Sequence, residues 1–132
     1  MKRLNAWAPT VLSLVRIVSA LLFLEHGTMK LLHFPAAQPG APNPLPTFLV
    51  VGALLELVGG ALLAAGLFTR PVAFILSGEM AVAYFLVHAR GGPWPGLNGG
   101  DAAILYCWIF FYFVFAGGGP ISLDSIVGRR RG

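Results

Sequence analysis

The chain has few charged residues and almost no cysteine. Only 11% of its 132 residues are charged, whereas 57% are hydrophobic, and Cys107 is the single cysteine. One cysteine excludes an intrachain disulfide, a CxxC redox motif and a thiolate metal cluster. A soluble domain carries about twice that share of charged residues, so the composition indicates a protein that is solvated by lipid rather than by water.

The positive charge is not arranged as in a nucleic-acid surface. The net charge is +4, but the basic residues flank the apolar runs instead of following one face. They are not interleaved with aromatic residues, as they are in proteins that bind single strands. We therefore expect no nucleic-acid partner, and we expect these residues to lie beside the anionic head groups of a bilayer.

Four apolar segments, separated by breaks that are short or rich in Pro and Gly, predict the fold class. They span residues 9–33, 46–68, 71–89 and 101–116 of an expected single domain over 1–132. A helix needs about 20 residues to cross the hydrocarbon, so the first two are long enough and the other two cross with little tilt. The prediction is an all-α, polytopic bundle of four transmembrane helices, whose first helix is retained rather than cleaved as a signal peptide.

The basic residues also predict the orientation of this bundle. With four spans, both termini and the corner at residues 69–71 lie on one side of the membrane. That side carries Lys2, Arg3, Arg70, Arg129, Arg130 and Arg131, whereas the opposite loops carry Arg90 alone. The positive-inside rule therefore places both termini in the cytoplasm.

Ionisable residues inside the predicted spans are the candidate binding residues. These are Arg16, His26, Lys30, Glu56 and Glu79. A charge near the bilayer centre costs a few kcal/mol, so it normally faces the bundle and has a partner. The three residues of the first helix share about a third of its circumference, whereas Glu25 points almost the opposite way. No metal site is expected, because no HxxH or HxxxH pair is present.

The depth of these residues predicts a polar column through the bundle. From the rise per residue, Arg16 and Glu79 lie roughly 9 and 12 Å from the cytoplasmic side, which makes them expected ion-pair partners. Glu56 lies near the midplane, within a stripe of small residues that allows close helix approach. His26 and Lys30 lie in the outer half. Such pairs serve either as a ligand or proton site or as structural links that fix the packing of a small bundle.

Several motifs, in this order along the chain, resemble the DoxX family of small bacterial membrane proteins. They are HGTMKL at 26–31, ELVGGALL at 56–63, NGGD at 98–101 and GGGPISLD at 117–124. The resemblance implies a four-helix membrane bundle in the bacterial cytoplasmic (inner) membrane. Some family members resemble the membrane subunit of a thiosulfate:quinone oxidoreductase, and others are linked to thiol-redox stress or quinone detoxification. No catalytic residue carries over from this resemblance.

Three functions follow as hypotheses. The first is a membrane subunit beside quinone-linked or thiol/sulfur redox chemistry, which binds a quinone or a partner oxidoreductase through the candidate residues. It has no intrinsic cofactor, so its electrons come from a bound partner. The second is a structural accessory subunit of a larger membrane complex, and the third is a small-solute or proton-coupled carrier. Beyond the lipid bilayer, the expected partner is another membrane or membrane-associated protein, or a second copy of the chain.

Overall fold

The computed structural model describes residues 1–130, and these residues form helices and loops without a β-strand. Arg131, one of the residues behind the predicted orientation, lies outside the described residues, as do the side chains of Lys2 and Arg130. The helices are α1 (Lys2–Asn5), α2 (Ala8–Leu31), α3 (Thr47–Ala65), α4 (Thr69–Ala83), α5 (Pro95–Asn98), α6 (Asp101–Ala116) and α7 (Leu123–Arg130). The all-α prediction is confirmed for this part of the chain.

Three helical stretches are long and apolar enough to cross a membrane. They are Ala8–Leu31, Thr47–Ala65 and Thr69–Gly91, with mean hydropathies of 1.7, 2.3 and 1.7. The third stretch is α4 extended by a π-helical turn at Tyr84–His88 and a 3-10 turn at Ala89–Gly91. The fourth apolar helix, α6, has 16 residues and is shorter than a full span.

Two helix ends differ from the sequence-based boundaries for identifiable reasons. α3 ends at Ala65 rather than near residue 68, because Gly66 adopts a left-handed conformation with φ of 69° and its N–H donates to the carbonyl oxygens of Leu62 and Leu63. Beyond the last of the four predicted segments the chain forms a further helix, α7, which starts after the glycine-rich segment that follows α6. Its backbone returns to the bundle, since the N–H of Asp124 donates to the carbonyl of Gly66 at 2.9 Å.

The bundle consists of two antiparallel helix pairs. α2 packs along α3 and α4 packs along α6, while α3 also contacts α4. The first pair is in close contact, because a Cβ added at Gly60 would lie 2.9 Å from the Cβ of Leu24. This confirms that the small residues of α3 form a packing surface. Aromatic rings complete the core, where Phe23, Phe110 and Phe113 are at most 1% exposed.

The antiparallel arrangement defines two ends of the bundle. The N-terminal end holds the start of α2, the α3–α4 corner and the segment from α6 to α7. The loop end holds residues 32–46, which join α2 to α3, and residues 84–100, which join α4 to α6. The ionisable residues of the helices divide between these two ends.

Candidate functional site

A buried ion pair joins the first two long helices near the loop end. The ammonium Nζ of Lys30 lies 2.6 Å from Oε1 of Glu56, and the two side chains are only 14% and 4% exposed. This contact follows from helix geometry, because side chains lean toward the N-terminus of their own helix. Lys30 on α2 and Glu56 on the antiparallel α3 therefore lean toward each other. Lys30 points into the bundle rather than along the surface.

The acidic side of this pair has unused hydrogen-bonding capacity. Oε2 of Glu56 is buried and has no hydrogen-bond partner within the described residues, and the same holds for Oε2 of Glu79. Glu79 lies between α4 and α3, where the missing side chain of Gly52 leaves room: a Cβ there would stand 3.3 Å from Oε1 of Glu79. Within the described residues the ammonium of Lys30 pairs with Glu56, and Glu79 forms no ion pair. Buried polar atoms without partners are uncommon and often mark the place of a ligand or a water.

His26 adds an oriented imidazole to the same region. Its Nδ1 lies 2.8 Å from the carbonyl oxygen of Leu22. A carbonyl only accepts hydrogen bonds, so Nδ1 carries the hydrogen and the Nε2 of a neutral ring remains free to accept. The ring meets the ring of Tyr106 edge-on, with their centroids 5.9 Å apart. His26 therefore presents an acceptor beside a tyrosine of α6.

These residues line a cavity of about 350 Å³ at the loop end, which we call the Lys30 chamber. Its walls come from α2, α3, the α4 extension and α6, and the loop of residues 38–42 covers it. The lining side chains that carry polar or aromatic groups are Phe23, His26, Lys30, Gln38, Glu56, His88 and Tyr106. Oε1 of Gln38 is also buried without a partner in the described chain. The chamber thus combines an ion pair, free acceptors and aromatic rings.

Arg16 lies at the other end of the bundle, in a different environment. Its guanidinium donates to the main-chain oxygens of Leu63, Ala64, Gly118 and Ile121, with the bonds to Ala64 and Gly118 at 2.6 and 2.9 Å. The side chain is fully buried. We call these contacts, together with Asp124, the Arg16 network. Its acceptors include two carbonyls in the last turn of α3, those of Leu63, which also accepts the N–H of Gly66, and Ala64.

The predicted ion pair between Arg16 and Glu79 is wrong. Arg16 leans toward the N-terminal end of the bundle, where main-chain carbonyls use its donors. Glu79 lies toward the loop end, beside Gly52. The single polar column therefore separates into two groups. His26, Lys30 and Glu56 share the chamber, Glu79 lies behind Glu56, and Arg16 is not part of this site.

Asp124 completes the Arg16 network from outside the apolar helices. Its carboxylate accepts the N–H groups of Phe68 and Thr69, each at 2.8 Å, and so caps the start of α4. Burial opposes the charged form, but the hydrogen bonds from Thr69 and Phe68 and the charge of Arg16 outweigh it. The pKa of Asp124 therefore lies below its ordinary value.

Comparison with known proteins identifies the family of the chain. The DoxX family matches residues 11–89, which is more than half of the chain. The chain belongs to the DoxX family. An uncharacterized protein of Haemophilus influenzae is 46% identical to this DoxX chain over 130 residues, which cover 95% of this chain and 96% of that protein. No solved structure matches the chain. Family membership and the three apolar helical stretches make it a membrane protein.

Some lining residues of this DoxX chain were not predicted as site residues. Tyr106 is one of seven aromatic residues between positions 106 and 115, and Gln38 lies in a Pro-rich loop without periodicity. Only Tyr106 gave a usable signal, since a tyrosine inside an apolar helix needs a polar neighbour for its hydroxyl. Within the described part of the chain, no three His, Cys, Asp or Glu side chains are close enough together to hold a metal ion.

Proposed function

We propose that this DoxX protein is an integral membrane subunit associated with quinone-linked or thiol/sulfur redox chemistry. In this proposal the Lys30 chamber binds the head group of a quinone. The observation that carries it is the buried pair of Lys30 and Glu56 in the wall of a 350 Å³ cavity, with one carboxylate oxygen free of partners in the described chain. A purely structural ion pair in an apolar bundle requires neither the cavity nor the free acceptor.

The size and chemistry of the chamber suit such a head group. Pockets for small molecules have volumes of about 300–1,000 Å³ and combine apolar walls with a few convergent polar groups. The ammonium of Lys30 keeps donors beyond the one directed at Glu56, and these suit the carbonyl oxygens of a quinone. Nε2 of His26 and Oε2 of Glu56 are acceptors that suit the hydroxyls of the reduced form. The rings of Phe23 and Tyr106, 5.3 Å apart, offer faces and edges to a planar ring.

Electron transfer in this proposal belongs to a partner oxidoreductase. The sequence has no motif for a haem, a flavin or an iron–sulfur cluster, so the chain contributes binding, orientation and hydrogen bonds. α6 offers a surface for such a partner, because Trp108, Tyr112 and Phe115 are at least 60% exposed. The same surface supports the second candidate function, a structural accessory subunit that packs against a larger membrane complex.

The proposal includes four membrane spans in the bacterial inner membrane, with both termini in the cytoplasm. α6 is part of the bundle, since Phe110 and Phe113 are buried in the common core. With Cys107 replaced by Ser, we expect an impermeant maleimide to label Gly40→Cys in spheroplasts and to spare Gly128→Cys. The reverse pattern would overturn the orientation.

Binding of a quinone ring to the Glu56→Gln variant tests the function. The probe is the reduced ring, a benzohydroquinone without a tail, whose hydroxyls can donate to Glu56; it is titrated anaerobically against the purified protein in a mild detergent. Glutamine keeps the shape of the side chain but replaces one carboxylate oxygen with an amide nitrogen, which removes the charge and an acceptor. We expect affinity to fall about tenfold, which corresponds to about 1.4 kcal/mol of binding free energy.

Glu25→Gln is the matched control. Glu25 lies on α2 next to His26, but it is exposed and does not line the chamber. The same substitution there should leave the affinity within twofold of wild type. Equal affinities of the Glu56→Gln variant and wild type would remove Glu56 from the site, and failure of wild type to bind the ring would refute the quinone proposal.

A further inference from the structure

An apolar groove runs along the surface between α2 and α6. Its volume is about 530 Å³, and its walls are Leu14, Val18 and Leu22 on one side and Leu105 and Ile109 on the other. The groove exists because α6 packs mainly along α4 and meets α2 chiefly through the rings of Phe23, Tyr106 and Phe110. The seam between the two helix pairs is therefore open on the side that faces lipid.

The groove and the Lys30 chamber share a wall. Tyr106 and Ala102 line both of them. The ring of Tyr106 contacts His26 and Phe23 inside the bundle, with centroids 5.9 and 5.3 Å apart. The side chain of Tyr106 thus borders both the polar chamber and the apolar groove.

The Lys30 chamber and the groove lie at different depths in the bundle, and together they match the polar and apolar parts of one amphiphilic molecule. The groove follows α2 from Leu14 to Leu22, a rise of about 12 Å through the middle of the helix. The chamber lies beyond it, toward the loop end, where Lys30 and Glu56 meet. An amphiphilic molecule in one leaflet has its polar end toward the membrane surface and its apolar chain toward the midplane. The chamber and the groove are arranged in the same order.

We infer that the ligand of the chamber is amphiphilic, with its polar ring beside Lys30 and Glu56 and a single apolar tail in the groove between α2 and α6. The tail leaves the bundle past Tyr106 and Ala102, so the ligand enters sideways from the lipid. This inference rests on the proposed function for the head group. It adds the chemical class of the ligand, a ring with a long hydrocarbon chain, and the route of entry.

Two probes that differ only in the tail test this inference. One is the bare benzohydroquinone ring, and the other is the same ring with a decyl chain. Leu105→Trp places an indole in the groove from the α6 wall, and Val18→Trp does so from the α2 wall. The two native side chains are more than half exposed there. Leu54→Trp is the matched control, since Leu54 is 48% exposed on α3 and lies outside the groove and the chamber.

We expect each groove variant to weaken binding of the tailed ring at least tenfold while the bare ring changes less than twofold. Comparison of each variant with wild type cancels the partition of the tailed ring into micelles. An unchanged affinity for the tailed ring in both groove variants shows that ordinary lipid fills the groove and overturns the inference. Equal weakening of the two probes in both variants also overturns it.

The failures of the two proposals are distinguishable. If the bare ring binds in a Glu56-dependent way and the tail makes no difference, only the present inference fails. If wild type binds neither ring, the proposed function fails and the inference fails with it.

Discussion

Arg16 and Lys30 lie on the same helix, both inside the bundle, yet their surroundings differ. The donors of Arg16 are directed at four main-chain carbonyl oxygens, and the side chain is fully buried. Lys30 meets one oxygen of Glu56, whose other oxygen has no partner among the described residues. Four of the five N–H donors of Arg16 are used by internal main-chain oxygens, whereas the Lys30 chamber keeps free acceptors and an open volume.

This difference distinguishes a buried charge with a structural role from one with a functional role in a membrane bundle. A buried charge is stable when fixed dipoles surround it, and the carbonyls at the end of α3 and in the glycine-rich segment provide them for Arg16. A charge that retains free partners is more costly, so its presence indicates a ligand that completes the site. Variants at the two ends of the bundle should therefore change different quantities.

The largest effect is expected for Arg16→Met. Methionine fills a similar length but donates no hydrogen bond. Within the described residues the carbonyls of Ala64 and Ile121 then lose their donor, and those of Leu63 and Gly118 lose one of two. Each buried polar group without a partner costs about 1–3 kcal/mol. We expect the free energy of unfolding to fall by about 3 kcal/mol or more, measured by denaturant titration in mixed micelles. The residual folded protein should bind the quinone ring as wild type does.

Arg70→Met is the control for this prediction. Arg70 also donates to main-chain carbonyls, those of Val114 and Phe115 at 2.7 Å, but its side chain is exposed. Water and lipid head groups replace its bonds, so its loss should cost less than about 1 kcal/mol. A variant Arg16→Met that folds normally and fails to bind the ring would place Arg16 in the functional group and break the comparison.

An intermediate effect is expected at Gly27, which holds α2 against α3 beside the chamber. A Cβ at this position would lie 2.8 Å from the nitrogen of Leu57 and 2.9 Å from the oxygen of Ala53. These are backbone atoms, so Gly27→Ala must move one helix away from the other. Overpacking of this kind costs about 1–3 kcal/mol. We expect the free energy of unfolding to fall by about 2 kcal/mol. Binding of the ring should also weaken, because Lys30 separates from Glu56.

Gly78→Ala provides the matched control within the same fold. A Cβ at Gly78, in the interior of α4, meets no atom within 4 Å. Alanine is favoured over glycine in a helix by about 0.5–1 kcal/mol, so this variant should be slightly more stable and bind the ring unchanged. If the two variants behave alike, close approach of α2 and α3 does not position the chamber.

Much of the helical framework was predictable from sequence, because hydropathy and the Pro- and Gly-rich breaks mark apolar helices directly. The stripe around Glu56 was also predictable: helical periodicity brings Gly59 and Gly60 to one face, and both are buried against neighbouring helices. The position of α7 was not predicted, because it depends on the return of Asp124 to Gly66 across the chain.

The partners of the buried charges were only partly predictable. Periodicity and rise per residue define the face and depth of a side chain, but not the neighbouring helix it meets. Arg16 was assigned to Glu79 because side-chain carboxylates can be identified from a sequence. The main-chain carbonyls that accept its hydrogen bonds cannot be identified in this way. His26 and Lys30, which share a face of the helix, both line the chamber. The loop over it, with Gln38, follows no period and could not be placed.

The smallest effect is expected for Asp124→Asn, which tests whether the Arg16 network depends on charge. The cap on α4 is worth about 1 kcal/mol. The pKa of Asp124 is lowered in the folded protein from an ordinary value of 3.8, so its stabilisation is present above that value and is lost as the pH falls through the folded pKa. The stability difference between wild type and variant should be about 1 kcal/mol at pH 7 and should vanish once the pH lies below the folded pKa.

Thermal unfolding in a nonionic detergent measures this difference. Asp101→Asn is the control, because Asp101 is exposed and, among the described residues, accepts a hydrogen bond from its neighbour Ala102 alone. A difference that is independent of pH would show that the asparagine disturbs packing rather than charge.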